Sequence, residues 1–364
     1  MSIPRLKMQR TIFLALALLA TVSMDTLGAH GQATESRFSN NDLQVRVTPA
    51  DRDTAGSAIQ VSNHPNYART PAGNSARNRE SQTRTAAALA SPGDVAGNAF
   101  TAYPADVIYQ GGMVVQQAVS HPVYVNPGGA CTIANCWGNP EGFLADLSNS
   151  DFIHVADEYT GETRDRRYTL DARIVLKDPL PSSTLSYDDL LAILHSVVMT
   201  TGEAGYGNIY HLFLPPGIDA CFPAPYSDQC YSPDNPSTFV FCAFHASATF
   251  ADLGQHVLFT VQPWQGAAGC IESPTGAPNG QLADSTNDAL NHETFETISD
   301  PDSDAWWNNS NLVCYNSEIA DEFLFLSSDG YWVLPTFPIN GKLYRVQSIY
   351  SNRKHACSIS PQDF

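Results

Sequence analysis

All eight cysteines of this 364-residue chain fall between Cys131 and Cys357. An even cysteine count confined to one part of a chain reads as a disulfide framework when the compartment is oxidising, so four bridges are expected. The shortest loops to close are Cys131 with Cys136 and Cys221 with Cys230, which leaves Cys242, Cys270, Cys314 and Cys357. Those four lack the paired CxxC spacing of a zinc cluster.

The start of the chain supplies the compartment. Arg5, Lys7 and Arg10 precede the run TIFLALALLATVSM from Thr11 to Met24, and small residues follow at Ala29, Gly31 and Ala33. This is the layout of a secretory signal peptide, assigned to residues 1–31. The run is shorter than the roughly 20 apolar residues that a bilayer-spanning helix needs. A secreted or periplasmic protein is expected, with no membrane attachment after cleavage.

Residues 32–100 are rich in Ser, Thr, Asn, Arg, Ala and Gly and show no sustained apolar period, which predicts a disordered linker or pro-segment. From residue 101 the text changes to aromatic and β-branched runs, predicting one disulfide-bonded globular domain over 101–364. That part carries nine Lys and Arg against thirty Asp and Glu. Nucleic acid is therefore excluded as a partner, since phosphate contacts need a basic surface.

Strands and helices are expected to mix. Val107–Asn126 holds two apolar runs around Gly111 and Gly112, Pro140–Asp157 reads as helix, and Thr169–Leu176 alternates as a strand does. Ser186 caps a helix in which Leu190, Leu191, Leu194 and Val198 recur at helical spacing. Three strands follow, at Asn208–Pro215, Thr238–Thr249 and His256–Pro263, and then a helix over Leu282–Ser299. The fold class is α/β or α+β, a mixed sheet with packed helices, in which a zincin-like half-domain would fit.

The late helix carries the chemistry. His292 and Glu296 stand four residues apart on one helical face, with Asp300 further along the stripe. Glu293 occupies the place of the general base in an H-E-x-x-H metallopeptidase, and Glu296 replaces the second histidine. That exchange makes the site harder and less zinc-selective. The competing reading is a solvated acidic helix face. A third metal ligand would come from Asp300, Glu318 or Asp321. Asp300, Asp302 and Asp304 alternate as in calcium loops, although the Gly and the twelfth-position Glu of an EF-hand are absent. Trp306 and Trp307 read as packing residues. Among the scattered histidines, His245 and His256 are the reserve ligands, ahead of His154, His195 and His211.

Other chemistries find no support. Glu293 and Glu296 are too close along one helix to flank a sugar ring as glycosidase carboxylates. No G-x-S-x-G elbow is present, and the GEAGYG run from Gly202 follows a helix, so it reads as a turn.

Taken together, HETFETISDP, DAWW, SEIADEF and IYSNRKHAC, with YQGG at Tyr109–Gly112 and FVFCAFHAS at Phe239–Ser247, resemble exported bacterial proteins distantly similar to the plant exordium or phosphate-induced family. The likeness covers most of residues 105–360. It implies a secreted protein with a metallopeptidase-like helix and carries over the positions His292, Glu293, Glu296 and Asp300, without their roles. The expected function is a metal-dependent hydrolase, with zinc or calcium as cofactor and a peptide or cell-wall-type substrate. The alternative is a non-catalytic secreted binding module stiffened by structural calcium.

Overall fold

A central eight-stranded sheet organises the chain, in the order Leu43–Val45, Ile174–Leu176, Ala118–Val125, Asn208–Phe213, His256–Gln262, Phe241–Thr249, Ile59–Tyr67, with Tyr168–Leu170 also paired to Ala118–Val125. This computed structural model describes residues 42–77, 79, 106–161, 167–308, 318–321 and 334–361, all within one compact unit, Phe38–Phe364. The sheet is parallel from Leu43–Val45 as far as His256–Gln262, and its last two pairings are antiparallel. It is the mixed sheet with packed helices that the apolar patterning predicts.

Local rules account for the helices. Ser186 and Asp189 exchange main-chain and side-chain hydrogen bonds in a capping box that opens the helix Tyr187–Thr201, and Gly202, at φ +74°, closes it. This helix and the short Pro49–Ala55 helix belong to an apolar core on one face of the sheet, made with Tyr210, Leu212, Phe244, Ala246 and Phe259. On the other face the helices Ile133–Trp137, Pro140–Ser148 and Gln281–Ser299 share a second core with Tyr124, Ile209 and Phe213.

The strand Phe241–Thr249 shows how the two faces differ. Phe244, Ala246 and Ala248 enter the first core, whereas His245 and Ser247 occupy the alternate positions. His245, Ser247, His211, Thr260 and Gln262 are all fully buried. Apolar residues there would contribute about 1.5–3 kcal/mol each; His211 and Thr260 bond each other, Gln262 donates to Thr260 and Ser247 to Asp302.

The N-terminal segment requires a correction. Residues 32–100 were expected to be linker, yet Leu43–Val45, Pro49–Ala55 and Ile59–Tyr67 are elements of the fold, and Ile59–Tyr67 is an edge strand of the sheet. The compositional argument failed because this strand draws its partners from Phe241–Thr249, with His64 opposite His245 and Pro65 opposite Phe244. Proline lacks an N–H and is favoured on an edge strand, which is where Pro65 lies. The folded part therefore begins well before residue 101. The assigned signal peptide, residues 1–31, lies outside the described residues.

Three disulfides join Cys131 to Cys136, Cys221 to Cys230 and Cys242 to Cys270. The two short-loop pairs are those the spacing favours, and Cys314 lies outside the described residues. No helix among the described residues is long and apolar enough to cross a membrane.

Candidate metal centre

The helix Gln281–Ser299 is polar in sequence, yet every residue from Asp284 to Ser299 is buried. A solvated acidic face is thus overturned. Most of its polar groups have local partners. Ser285, Thr286, Thr294 and Thr297 donate their hydroxyls to carbonyls four residues back, Asp288 accepts from the Gln347 N–H, and Asn291 donates to the Gln347 carbonyl. Left over are His292 Nε2 and all four carboxylate oxygens of Glu293 and Glu296, along with the side-chain oxygens of Asn287 and Asn291. Burying an ion without compensation costs several kcal/mol, so two such carboxylates call for a counter-charge.

That charge would sit where imidazoles and carboxylates converge. His64, His245, Glu296 and Glu318, all buried, each offer a donor atom within 4.8 Å of the others. His64 Nδ1 is 3.5 Å from Glu296 Oε2 and 3.6 Å from Glu318 Oε1, and His245 Nδ1 is 3.4 Å from Glu296 Oε2. A second set unites His292, Glu296 and Asp321, with His292 Nε2 at 3.1 Å from Glu296 Oε1 and 3.9 Å from Asp321 Oδ1. Donors about 2.05 Å from a tetrahedral ion stand about 3.3 Å apart, so these gaps suit joint ligation.

The outer nitrogens of two imidazoles are already engaged. His245 Nε2 is 3.2 Å from the Asp300 carbonyl, and His292 Nδ1 is 2.9 Å from Gln347 Oε1. Each outer nitrogen donates to that oxygen, which turns the inner nitrogen toward the carboxylates, as outer partners do for metal-bound histidine. His245 Nδ1 faces Glu293 and Glu296 oxygens at 3.4 Å, and His292 Nε2 faces Glu296 Oε1 at 3.1 Å.

The electrostatics describe a pocket that attracts positive charge. Burial opposes the charged form of His245, but Glu318, Glu293 and Glu296 outweigh it and raise its pKa well above the ordinary value. The same contest, with Glu296 leading, lifts His292 to about 10. Burial raises Glu293, Glu318 and Asp321, with Glu296 adding repulsion to each. Burial also works against ionised Glu296, yet His292, His245 and His64 overcome it and hold Glu296 well below the carboxylate range. Four carboxylates around three imidazoles hold protons that a cation could replace.

Set beside the expectations, the geometry gathers His292, Glu296, Glu318 and Asp321. Glu293 adjoins them, its Oε2 at 3.4 Å from His245 Nδ1. Asp300 joins neither set; its Oδ1 accepts from the Ala305 N–H at 2.6 Å, and its carbonyl serves His245. The three aspartates read as a calcium loop do not converge. Asp302 is held by Ser247 and Tyr206 in side-chain hydrogen bonds, and the Asp304 carbonyl accepts from Gly112 N–H at 2.9 Å. Of the reserve histidines, His245 is in the centre and His256 is not, lying 3.3 Å from the Thr249 hydroxyl. Trp306 packs between Tyr109 and Tyr159 and donates to the Tyr159 carbonyl, a structural role.

Sequence reasoning missed His64 and Gln347. The first sits in the segment read as linker, where Asn-His-Pro-Asn within an otherwise featureless run was the sole clue. No short-range pattern marks the second, since it lies 55 residues from His292 along the chain. A further group, His121 with Asp171 and Glu203, has both carboxylates about half exposed and the imidazole held by Asn208 at 2.9 Å. No family model, no curated protein and no solved structure matches the chain.

Proposed function

We propose that this chain is an exported hydrolase that works with a divalent metal ion and acts on a peptide or a related cell-wall amide. The observation that carries the reading is the pair His245 and His292, each with its outer nitrogen engaged and its inner nitrogen 3.1–3.4 Å from buried carboxylate oxygens. His64, His245, Glu296 and Glu318 are the primary ligands. Three imidazoles among the donors favour zinc or another first-row ion over calcium, which prefers oxygen alone. A bound ion supplies Lewis acidity, which lowers the pKa of water and polarises a carbonyl. Glu293 is the general base, because it is a buried carboxyl that lies beside the primary set without belonging to it, its Oε2 3.4 Å from His245 Nδ1. Export is supported by the apolar leader and the three disulfides.

The substrate surface we assign is an open groove of about 430 Å³ lined by Tyr109, Met113, Gln117 and Tyr206, none of them a metal donor. Tyr206 and Ser247 both bond Asp302, and Ser247 stands two residues from His245 on one strand face. The polar cavity beside Gln347, about 30 Å³, has room for water only.

One observation favours a second reading. His64, His245, Glu293, Glu296 and Glu318 are each fully buried, and structural metal sites are closed whereas catalytic ones keep a position open. On that reading the ion ties the edge strand, the helix and the 318–321 turn together in a secreted binding module.

Elemental analysis of the purified chain and its variants, paired with a peptide-hydrolysis screen, separates the two. The hydrolase reading expects metal in wild type and Glu293→Gln, loss of metal in His245→Ala and Glu296→Ala, and hydrolysis abolished by Glu293→Gln. Metal without hydrolysis would leave the structural reading. Absence of metal from the wild type would end both.

A further inference from the structure

We infer that the centre is dinuclear, with Glu296 bridging two divalent ions; the inference rests on the metal reading above and extends it. The two oxygens of Glu296 face different donor sets. Oε1 is 3.1 Å from His292 Nε2, while Oε2 is 3.4 Å from His245 Nδ1 and 3.5 Å from His64 Nδ1. His292 and Asp321 thereby form a set with Glu296 apart from His64, His245 and Glu318. One ion with bonds of about 2.0–2.2 Å reaches donors no more than about 4.4 Å apart, so it serves one set and leaves the other bare.

Asp321 Oδ1 is 3.9 Å from His292 Nε2, while its Oδ2, 3.8 Å from the outer Nε2 of His64, faces the N–H side of that ring when Nδ1 ligates. A carboxylate that spans two sets, as Glu296 does, is the usual device for holding ions about 3.5–4 Å apart in two-metal hydrolytic sites.

His292 points to the same count, since a single ion in the primary set leaves this buried imidazole outside its coordination. The donor sets differ in openness. Asp321 is the most exposed donor, at 11 % of its side chain, so the ion held by His292, Asp321 and Glu296 is the one that solvent reaches and the one that exchanges first.

Titration of the metal-stripped full chain with Mn²⁺, followed by electron paramagnetic resonance, tests the inference. The expectation is two ions per chain at saturation, with the six-line signal of isolated Mn²⁺ replaced by an exchange-broadened spectrum. His292→Ala and Asp321→Asn should each reduce the capacity to one and restore the six-line signal, and a retained thermal transition would show that the variants fold. Saturation of wild type at one ion, with a six-line signal, would overturn the dinuclear assignment and leave the metal reading intact. Binding of no ion by Mn²⁺ or Zn²⁺ titration would overturn both.

Discussion

Gln347 accepts a hydrogen bond from Nδ1 of His292 at 2.9 Å, and this contact decides which nitrogen of the imidazole faces the carboxylates. The side chain can be removed without disturbing its main chain, whose N–H donates to Asp288 and whose carbonyl accepts from Asn291. Gln347→Leu should therefore fold normally while weakening metal affinity about 10–100-fold, the usual cost of losing an outer partner. Calorimetric titration with Zn²⁺ checks this. An unchanged dissociation constant would show that Gln347 does not set the tautomer.

The N-terminal segment makes a sharper demand. Ile59–Tyr67 covers the Phe241–Thr249 edge and brings His64 opposite His245. Asp51 lies 2.6 Å from His195, and Arg52 lies 3.0 Å from Asp189, both on the Tyr187–Thr201 helix. A chain beginning at residue 101 should lack a cooperative thermal transition by circular dichroism, because an apolar core is uncovered and a strand edge exposed. A chain beginning at residue 38 should melt like the full one. Cooperative melting of the shorter chain would restore the linker reading.

These two cases show what a sequence can and cannot carry. Capping at Ser186, the stripe of Leu190, Leu191, Leu194 and Val198, and the alternation from Phe241 to Thr249 are local signals, and the corresponding elements form where those signals stand. The His292 and Glu296 pair was legible for the same reason, since four residues make one helical turn. His64 and Gln347 reach the centre through pairings between distant segments, and no periodicity within a segment encodes such a meeting. The linker expectation for residues 32–100 failed on a related point: a strand that buries little surface alone is stabilised by its neighbour, Phe241–Thr249.

Metal binding should release protons. His292, raised to about 10, and His245, raised well above its ordinary value, are protonated at neutral pH, so an incoming ion displaces protons from the pocket. Affinity should rise with pH, and binding heats should vary with buffer ionisation enthalpy. The ion-free chain should show the opposite trend in stability. For His292, raised from 6.5 to about 10, the stabilising effect is complete below pH 6.5 and is lost as pH approaches 10. Melting temperature in chelator should thus fall over that window, and saturating metal should reverse the fall. A flat profile in chelator would show that the pocket holds no such protons.

Away from the centre, His211 should govern acid sensitivity. It is fully buried, its Nδ1 3.0 Å from the Thr260 hydroxyl and its Nε2 3.2 Å from that of Ser120. Burial, with a smaller contribution from His121, lowers its pKa from 6.5 to about 3. The unfolded chain then takes up a proton near pH 6.5 that the folded chain refuses until about pH 3, so stability rises with pH across that interval. Between pH 7 and pH 4 the loss from this one group amounts to about 3 kcal/mol. His211→Gln keeps hydrogen-bonding capacity toward both hydroxyls and removes the titration. Urea unfolding in chelator at a series of pH values should show a shallower acid slope for the variant than for wild type. Equal slopes would mean that His211 is protonated in the folded chain as readily as in the unfolded one, against the burial that lowers its pKa.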